Sequence, residues 1–255
     1  MKPATTYSGD DRDPQTYFTG KAAGYDRHRP TYPAESIAFI LEGLGDAPVI
    51  SDVGCGTGIS ARLLAQSRTA AHIIGIDPNE DMLDTARDRS SEFADRLSFR
   101  LGTAEATGLA DASVDAVLCA QAFHWFNPAN ALQEFHRITR PGGRCALMWN
   151  IRSPEDDASR AYVEIMNRTI NEAERTGRTA HRNREGDPTM HGWFINPRRH
   201  RTIHWIAYDR ESLLGRSRSA SYFPESGLLR ESFEREINEM FDQYAKDGVV
   251  MIAHA

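Results

Sequence analysis

The stretch SDVGCGTGIS, residues 51–60, places three glycines within five positions, directly after the apolar run APVI. Glycine adopts positive φ at little steric cost, so such a loop can serve a tight turn. It can equally let a ligand lie against the backbone, with a helix N-terminus behind it to receive polar groups. The sequence on either side of the loop decides between these two roles.

Apolar runs and helical patterns alternate along residues 47–150. Strands are predicted where the runs are uninterrupted, at PVISDVG, HIIGID, LSFRLG, VDAVLCA and RCALMWN. Helices are predicted between them; one covers residues 130–140 and is expected to stop at the PGG of residues 141–143. Strands that alternate with helices imply right-handed crossovers and a parallel sheet. The predicted fold class is therefore α/β.

The pattern changes after residue 150. Ser153, Pro154 and Asp156 are typical of a helix start, and the helix is predicted to run to about residue 175. The rest is predicted as a loop over residues 176–200, a strand at RTIHWIAYD, a helix over residues 228–246 and a last strand at GVVMIAHA. Late insertions in α/β chains commonly build the substrate side of a pocket, and we expect that role here.

Composition limits the classes of partner. The chain has 255 residues and a formal charge of −6, which argues against broad binding to nucleic acid. Its three cysteines are too few and too scattered for a disulfide framework, and no histidine spacing indicates a metal site. The first residues are polar, and no run approaches the ~20 apolar residues that cross a bilayer. We expect a cytoplasmic protein without a membrane partner, whose oligomeric state the sequence leaves open.

The glycine spacing favours one kind of nucleotide-like ligand. The dinucleotide fingerprint is G-x-G-x-x-G, whereas here the third glycine, Gly58, comes one residue early, and no GK[ST] follows. Asp52 puts a negative charge beside the loop, which would repel a pyrophosphate and attract an ammonium group. Asp77 ends the second predicted strand, where a carboxylate can accept both hydroxyls of a ribose. A ligand with a ribose, a cationic amino-acid end and no phosphate fits both carboxylates, and S-adenosylmethionine is such a ligand.

The chain resembles the class I S-adenosylmethionine-dependent methyltransferases, in particular the small-molecule branch that includes trans-aconitate methyltransferase-like proteins. The resemblance rests on DVGCGTG (52–58), GIDPNEDML (75–83), GTAEATGL (102–109), AQAFHWF (120–126) and the PGG-strand unit (141–149). It covers residues 16–150 well and residues 201–255 more weakly. It implies a Rossmann-like, doubly wound sheet of seven strands with the last antiparallel. Residues 1–35 would form an N-terminal lid, residues 36–255 the methyltransferase domain, and residues 151–200 a helical and loop insertion on the substrate side.

The resemblance also assigns cofactor contacts, residue by residue. The glycine loop would lie against the methionine part, Asp77 would hold the ribose, and the segment after the third strand would flank the adenine. Tyr25 and Arg29 would belong to the lid, with Arg29 pairing the cofactor carboxylate. The predicted cofactor residues are Tyr25, Arg29, Asp52, Gly54, Cys55, Gly56, Gly58, Asp77, Pro78, Met82, Thr103, Ala104, Glu105, Gln121 and Ala122.

The acceptor side is less well marked by the sequence. His124 follows the fourth strand and is the candidate general base, since imidazole titrates near neutral pH. The substrate candidates are Trp125, Trp149, Asn150 and Tyr222. The predicted function is transfer of a methyl group from S-adenosylmethionine to an oxygen or nitrogen of a small-molecule acceptor, as in secondary metabolism. Two alternatives stay open, namely a non-catalytic S-adenosylmethionine-binding regulator or scaffold, and a nicotinamide oxidoreductase, against which Asp52 and the early third glycine argue.

Overall fold

The computed structural model describes residues 19–20, 22, 26, 29–67, 72–175, 192–218 and 226–255. The chain divides into two compact units. The first comprises Met1–Ala23, Ile37–Met148 and Arg184–Arg199, and the second comprises Gly24–Ser36, Trp149–Asn183 and His200–Ala255.

The first unit is built around five strands. These are β1 (Val49–Val53), β2 (His72–Asp77), β3 (Leu97–Leu101), β4 (Val114–Ala120) and β5 (Thr139–Met148). The helices are α1 (Ala34–Leu41), which begins in the second unit, α2 (Ile59–Gln66), α3 (Glu80–Arg89) and α4 (Pro128–Ile138). Single 3-10 turns lie at Ser91–Phe93 and Phe123–Trp125. All five strands that the sequence predicts for this part of the chain are present.

The five strands form one parallel sheet in the order β3-β2-β1-β4-β5. The order reverses between β1 and β4, so right-handed crossovers place the helices of the two halves on opposite faces of the sheet. Because the strands are parallel, their carboxyl ends meet at one edge. Ligands of such sheets bind at this edge, where the strand order reverses. The predicted α/β Rossmann-like class is confirmed.

Local sequence explains where two helices of this unit begin. Asn79 precedes α3, and its side-chain oxygen accepts a hydrogen bond from the Met82 amide at 3.1 Å. Asn127 caps α4 in the same way, accepting from the Asn130 amide at 3.2 Å, with Pro128 in the first turn. Each cap sets the residue at which its helix begins. The segments between the strand ends and these helices carry candidate site residues.

The PGG stretch does not terminate α4 as predicted. The helix ends at Ile138 because Thr139 is already extended, and β5 begins there. Val114 of β4 pairs with Thr139 and Ala116 pairs with Arg144, so the residues between, which include the PGG, form an irregularity within the strand pairing. Gly143 is needed inside it, since a Cβ there would lie 2.6 Å from the Asp115 carbonyl oxygen.

The second unit combines three helices with two strands: α5 (Asp157–Arg175), β6 (His204–Tyr208), α6 (Arg210–Arg218), α7 (Leu228–Tyr244) and β7 (Val250–His254). Asp156 caps α5 by accepting from the Ser159 amide at 2.8 Å, as the sequence predicts. Tyr162, Phe233 and Ile237 are among the fully buried side chains that join α5, α7 and β7. Helix α6 is an element that the sequence does not predict.

A single seven-stranded sheet is not shown. Among the described residues, β6 and β7 form a separate antiparallel pair. Strand β5 ends at Met148, before the residues that bond to the last strand. The segment of β7 bonds to residues 151–153: Ile151 and Ala255 exchange backbone hydrogen bonds, and the Ser153 amide donates to the Ala253 carbonyl. The last strand is antiparallel to its neighbour β6, as expected. None of the described helices is long and apolar enough to cross a membrane.

Candidate active site

The three glycines of the loop after β1 all have positive φ, at 71° for Gly54, 53° for Gly56 and 79° for Gly58. A Cβ at Gly54 would lie 2.4 Å from the Cβ of Ala122, and one at Gly58 would lie 3.0 Å from the Phe99 ring. Packing therefore requires two of the glycines. A Cβ at Gly56 would meet nothing within 4 Å, so this glycine faces open space.

Four backbone amides of the loop are already used within the protein. The amides of Gly54 and Cys55 donate to the Ile76 carbonyl at 2.8 and 3.1 Å, and that of Gly58 donates to the Cys55 carbonyl at 2.9 Å. The Gly56 amide donates to the Asp77 carboxylate at 2.9 Å. Phosphate-binding loops instead point successive amides at the ligand. The loop geometry thus supports the sequence argument against a phosphate or pyrophosphate.

Asp77 lies at the end of β2 and joins the glycine loop to the start of α3. One oxygen accepts from the Gly56 amide and the other accepts from the Asn79 amide at 3.0 Å. Burial raises the pKa of this carboxyl to about 6, although both amide hydrogen bonds act in the opposite direction. A carboxylate has about four acceptor positions, so Asp77 keeps capacity for further donors such as hydroxyl groups.

Asp52 lies beneath the loop and is fully buried. One of its oxygens accepts from the Ser60 hydroxyl at 2.6 Å, while the other has no hydrogen-bond partner among the described residues. Burial raises its pKa to about 7. The hydrogen bond from Ser60 lowers the pKa, and the negative charge of Asp77 raises it. Since the side chain has no exposed surface, Asp52 acts on the loop region through its charge.

The predicted adenine side lies next to Asp77, because β3 is the neighbour of β2 and the Gly102 amide donates to the Asp77 carbonyl at 3.2 Å. Ala104 and Met82 are buried, and Pro78, Thr103 and Glu105 are half-buried. Glu105 accepts from the Asn127 amide at 2.8 Å and so ties this loop to the start of α4.

The segment after β4 holds the candidate general base. Gln121 has φ of 57°, a left-handed conformation that costs a non-glycine residue roughly 1–3 kcal/mol. Its amide donates to the Met148 carbonyl at 2.9 Å, which holds it there. His124 and Trp125 follow in the 3-10 turn, half-buried, with ring centroids 5.8 Å apart. The close approach of Gly54 to Ala122 shows that this segment touches the glycine loop.

Three predicted site residues belong to the second unit, and two others lie outside the described part of the chain. Arg29, Trp149 and Asn150 belong to the second unit, where the Asn150 amide nitrogen donates to the Thr31 carbonyl at 2.9 Å. Tyr25 and Tyr222 lie outside the described residues. Within the described ranges, no group of three His, Cys, Asp or Glu side chains could hold a metal ion.

Two aromatic residues that sequence reasoning missed support the site. The Phe99 ring packs over Gly75 of β2, where a Cβ would lie 2.5 Å from it. The far end of the same ring contacts Gly58. The Phe126 ring lies against Gly54 and stacks edge-on with Phe135 of α4, at 6.4 Å between centroids. A glycine inside a strand pattern was the signal for Phe99, because such glycines often mark a close approach. No comparable signal marks Phe126.

Comparison with known proteins agrees with this geometry. A model of the methyltransferase domain family matches residues 51–147. The chain is 39% identical over 158 residues to an uncharacterized methyltransferase of Mycobacterium tuberculosis, covering 62% of this chain and 61% of the relative. It is 35% identical over 134 residues to the malonyl-[acyl-carrier protein] O-methyltransferase of Methylococcus capsulatus, covering 51% of this chain and 48% of the relative.

A solved structure extends the likeness of fold. A candidate type II methyltransferase of Anaeromyxobacter dehalogenans superposes with a TM-score of 0.61 at 22% identity, over 89% of this chain and 94% of that one. Residues 51–147 are thus similar to methyltransferase domains. The chain spans about three fifths of the length of the M. tuberculosis relative.

Proposed function

We propose that the protein is an S-adenosylmethionine-dependent methyltransferase that methylates an oxygen or nitrogen of a small-molecule acceptor. The observation that carries this proposal is the pairing of Gly56 with Asp77. Gly56 leaves open space at the loop, and Asp77 beside it keeps acceptor positions for hydroxyl donors. The trans-aconitate methyltransferase-like branch stays a prediction from the motifs.

The residues present fit the cofactor's three chemical parts. Asp77 would accept hydrogen bonds from the ribose hydroxyls. The buried charge of Asp52 favours the cationic amino-acid end, and its second oxygen has no hydrogen-bond partner among the described residues. The loop after β3, with Met82 and Pro78 of the neighbouring turn, would take the adenine. The amides of Gly54, Cys55, Gly56 and Gly58 are already bonded within the protein, so they would not contact the ligand.

S-adenosylmethionine supplies a methyl group on a positively charged sulfur, from which a nucleophile can displace a neutral thioether. The protein's main task is then to hold the acceptor atom in line and to exclude water, and orientation of this kind lowers barriers by ~7–11 kcal/mol. Gln121, in its left-handed conformation beside the glycine loop, would fix one wall of this region. Trp125 and His124, which share the next turn, would form the acceptor side.

His124 would remove a proton from the acceptor where the nucleophilic atom carries one. An ionised carboxylate needs no such base, whereas a phenol or an alcohol does. The O-methyltransferase among the relatives supports an oxygen acceptor. Trp149, Asn150 and Tyr222 remain the proposed substrate residues contributed by the rest of the chain.

The N-terminal lid has partial support from two contacts. The Asn79 side chain donates to the Thr19 hydroxyl at 3.1 Å, and the Gly20 amide donates to the Asp81 carboxylate at 3.0 Å. Residues just before the predicted lid residues Tyr25 and Arg29 therefore lie against the first turn of α3, beside Asp77. We propose that this segment closes over the cofactor.

Incubation with methyl-labelled S-adenosylmethionine and fractionated small-molecule extracts tests the proposal. We expect label in a low-molecular-weight product and release of S-adenosylhomocysteine, with no label in nucleic acid. A protein that binds the cofactor tightly yet labels nothing across many extracts is a non-catalytic binder. A protein that binds NADH at micromolar concentrations instead is an oxidoreductase.

The pKa of Asp52 predicts a pH dependence for cofactor binding. A nearby cation favours the ionised carboxylate, so affinity rises as pH increases through the pKa of the free protein, about 7, and levels off above it. We expect calorimetric affinity for S-adenosylmethionine to rise several-fold between pH 6 and 7.5. Asp52→Asn keeps the shape of the side chain and the Ser60 contact but should lose this rise in affinity. The only pH dependence left should be the one due to the ionisation of Asp77, near pH 6. An unchanged profile in Asp52→Asn would show that Asp52 does not sense the ligand.

A further inference from the structure

Helix α4 holds the loop after β3 through one buried carboxylate. One Glu134 oxygen accepts from the Thr107 amide at 2.8 Å and from the Thr107 hydroxyl at 2.5 Å. Arg137, one turn further along, donates to both oxygens of Glu134, at 2.7 and 2.8 Å. Glu134 is 8% exposed and Thr107 is 1% exposed, so the bonds between these two residues are buried, whereas the Arg137 side chain is 37% exposed.

Arg137 extends the same connection along the loop. Its guanidinium donates to the Leu109 carbonyl at 2.8 Å and also pairs with Asp111. The Leu109 amide in turn donates to the Thr107 hydroxyl at 3.3 Å. Together with the Glu105 contact to Asn127, the residue before α4, these bonds attach the loop at Glu105, Thr107 and Leu109.

The charge of Glu134 fixes the direction of every hydrogen bond in this cluster. Burial raises the pKa of this carboxyl, but the hydrogen bonds from Arg137 and Thr107 outweigh it and lower the pKa to about 2. An ionised carboxylate only accepts, so the Thr107 hydroxyl must donate to it and can then accept from Leu109. A glutamine of the same size would turn an NH₂ group toward one of these donors and break that order.

We propose that Glu134 and Arg137 are positioning residues for adenine recognition, acting through the loop of residues 102–109. The inference rests on the proposed function, in which this loop flanks the adenine beside Asp77. Neither side chain touches the ligand in this view. They set where the Thr103–Glu105 backbone stands, because the carboxylate of Glu134 and the side chain of Thr107 at the centre of the network are buried and hydrogen-bonded.

The test compares two ligands that differ only at the base. S-adenosylhomocysteine carries the adenine amino group, and S-inosylhomocysteine carries an oxygen in its place. In the wild type we expect clear preference for the adenosyl ligand. Glu134→Gln should lose about tenfold or more in affinity for it and much less for the inosyl ligand, so that the preference falls. A role confined to stability would lower both affinities together or neither.

Two further variants make the result decisive. Glu234→Gln is the matched control: Glu234 of α7 also accepts from two arginines, Arg230 and Arg218, at 2.9 and 3.0 Å, and the preference should be unchanged. Thr107→Val removes a single hydroxyl and should show a smaller loss in the same direction if Glu134→Gln does not fold. Folded variants with the wild-type preference overturn the inference, as does a wild type without preference. A wild type that binds neither ligand overturns the proposed function instead.

Discussion

Replacing Asp77 with alanine should weaken the affinity for S-adenosylmethionine by at least about 100-fold. Two charge-assisted hydrogen bonds to the ribose would be lost, each worth roughly 1.5–3 kcal/mol. The change also removes the acceptor of the Gly56 amide, so the loop loses the bond that places its open glycine. Isothermal titration calorimetry with S-adenosylmethionine measures the effect directly.

The control for Asp77 is another acid of the same region. Asp84 of α3 is largely exposed and pairs with Arg87, and Asp84→Ala should leave affinity unchanged. Asp77→Asn keeps the size and one carbonyl oxygen and should fall between the wild type and alanine. Wild-type affinity in a folded Asp77→Ala variant would mean that the ribose is placed wrongly.

The second large effect concerns stability and separates two glycines of the same loop. Gly54→Ala puts a Cβ 2.4 Å from Ala122 and 2.9 Å from Phe126, at a positive φ. Overpacking and the left-handed conformation together should cost about 2–5 kcal/mol of unfolding free energy. Urea denaturation followed by circular dichroism measures the loss.

Gly56→Ala is the matched comparison. Its Cβ meets no protein atom within 4 Å, so only the left-handed conformation is penalised, at roughly 1–2 kcal/mol. We expect a folded protein that has nonetheless lost most of its cofactor affinity, because the new methyl group fills the space proposed for the ligand. If Gly56→Ala binds as the wild type does, the open space at the loop is not the cofactor site.

The sequence predicted the parallel sheet because it follows from local signals, while the placement of the cofactor at one edge of that sheet stays a prediction. The apolar runs that became β1 to β5 are continuous, and Asn79 and Asp77 stand at positions where capping and strand-end chemistry are readable from spacing alone. The burial of Asp52 beneath Ser60 was not readable in this way, since it depends on how α2 packs against β1.

Other features depend on contacts between distant parts of the chain. Glu134 and Thr107 are 27 residues apart, and nothing in either local pattern links them. The pairing of β7 with residues 151–153 depends on where β5 ends, which the uninterrupted RCALMWN run does not reveal. Helix α6 went unpredicted because its sequence, RESLLGRSR, has a glycine and few apolar residues to set a helical period.

The double use of Asp77 limits how this protein can evolve or be redesigned. One side chain joins the glycine loop to α3 and also serves as the proposed grip on the sugar, so any replacement that alters sugar preference also alters folding of the loop. The proposed base end is less constrained, because Glu105 is tied there through one side-chain hydrogen bond to Asn127, the residue before α4. Engineering toward unnatural cofactor analogues should therefore start from substitutions at the base and leave the sugar unmodified.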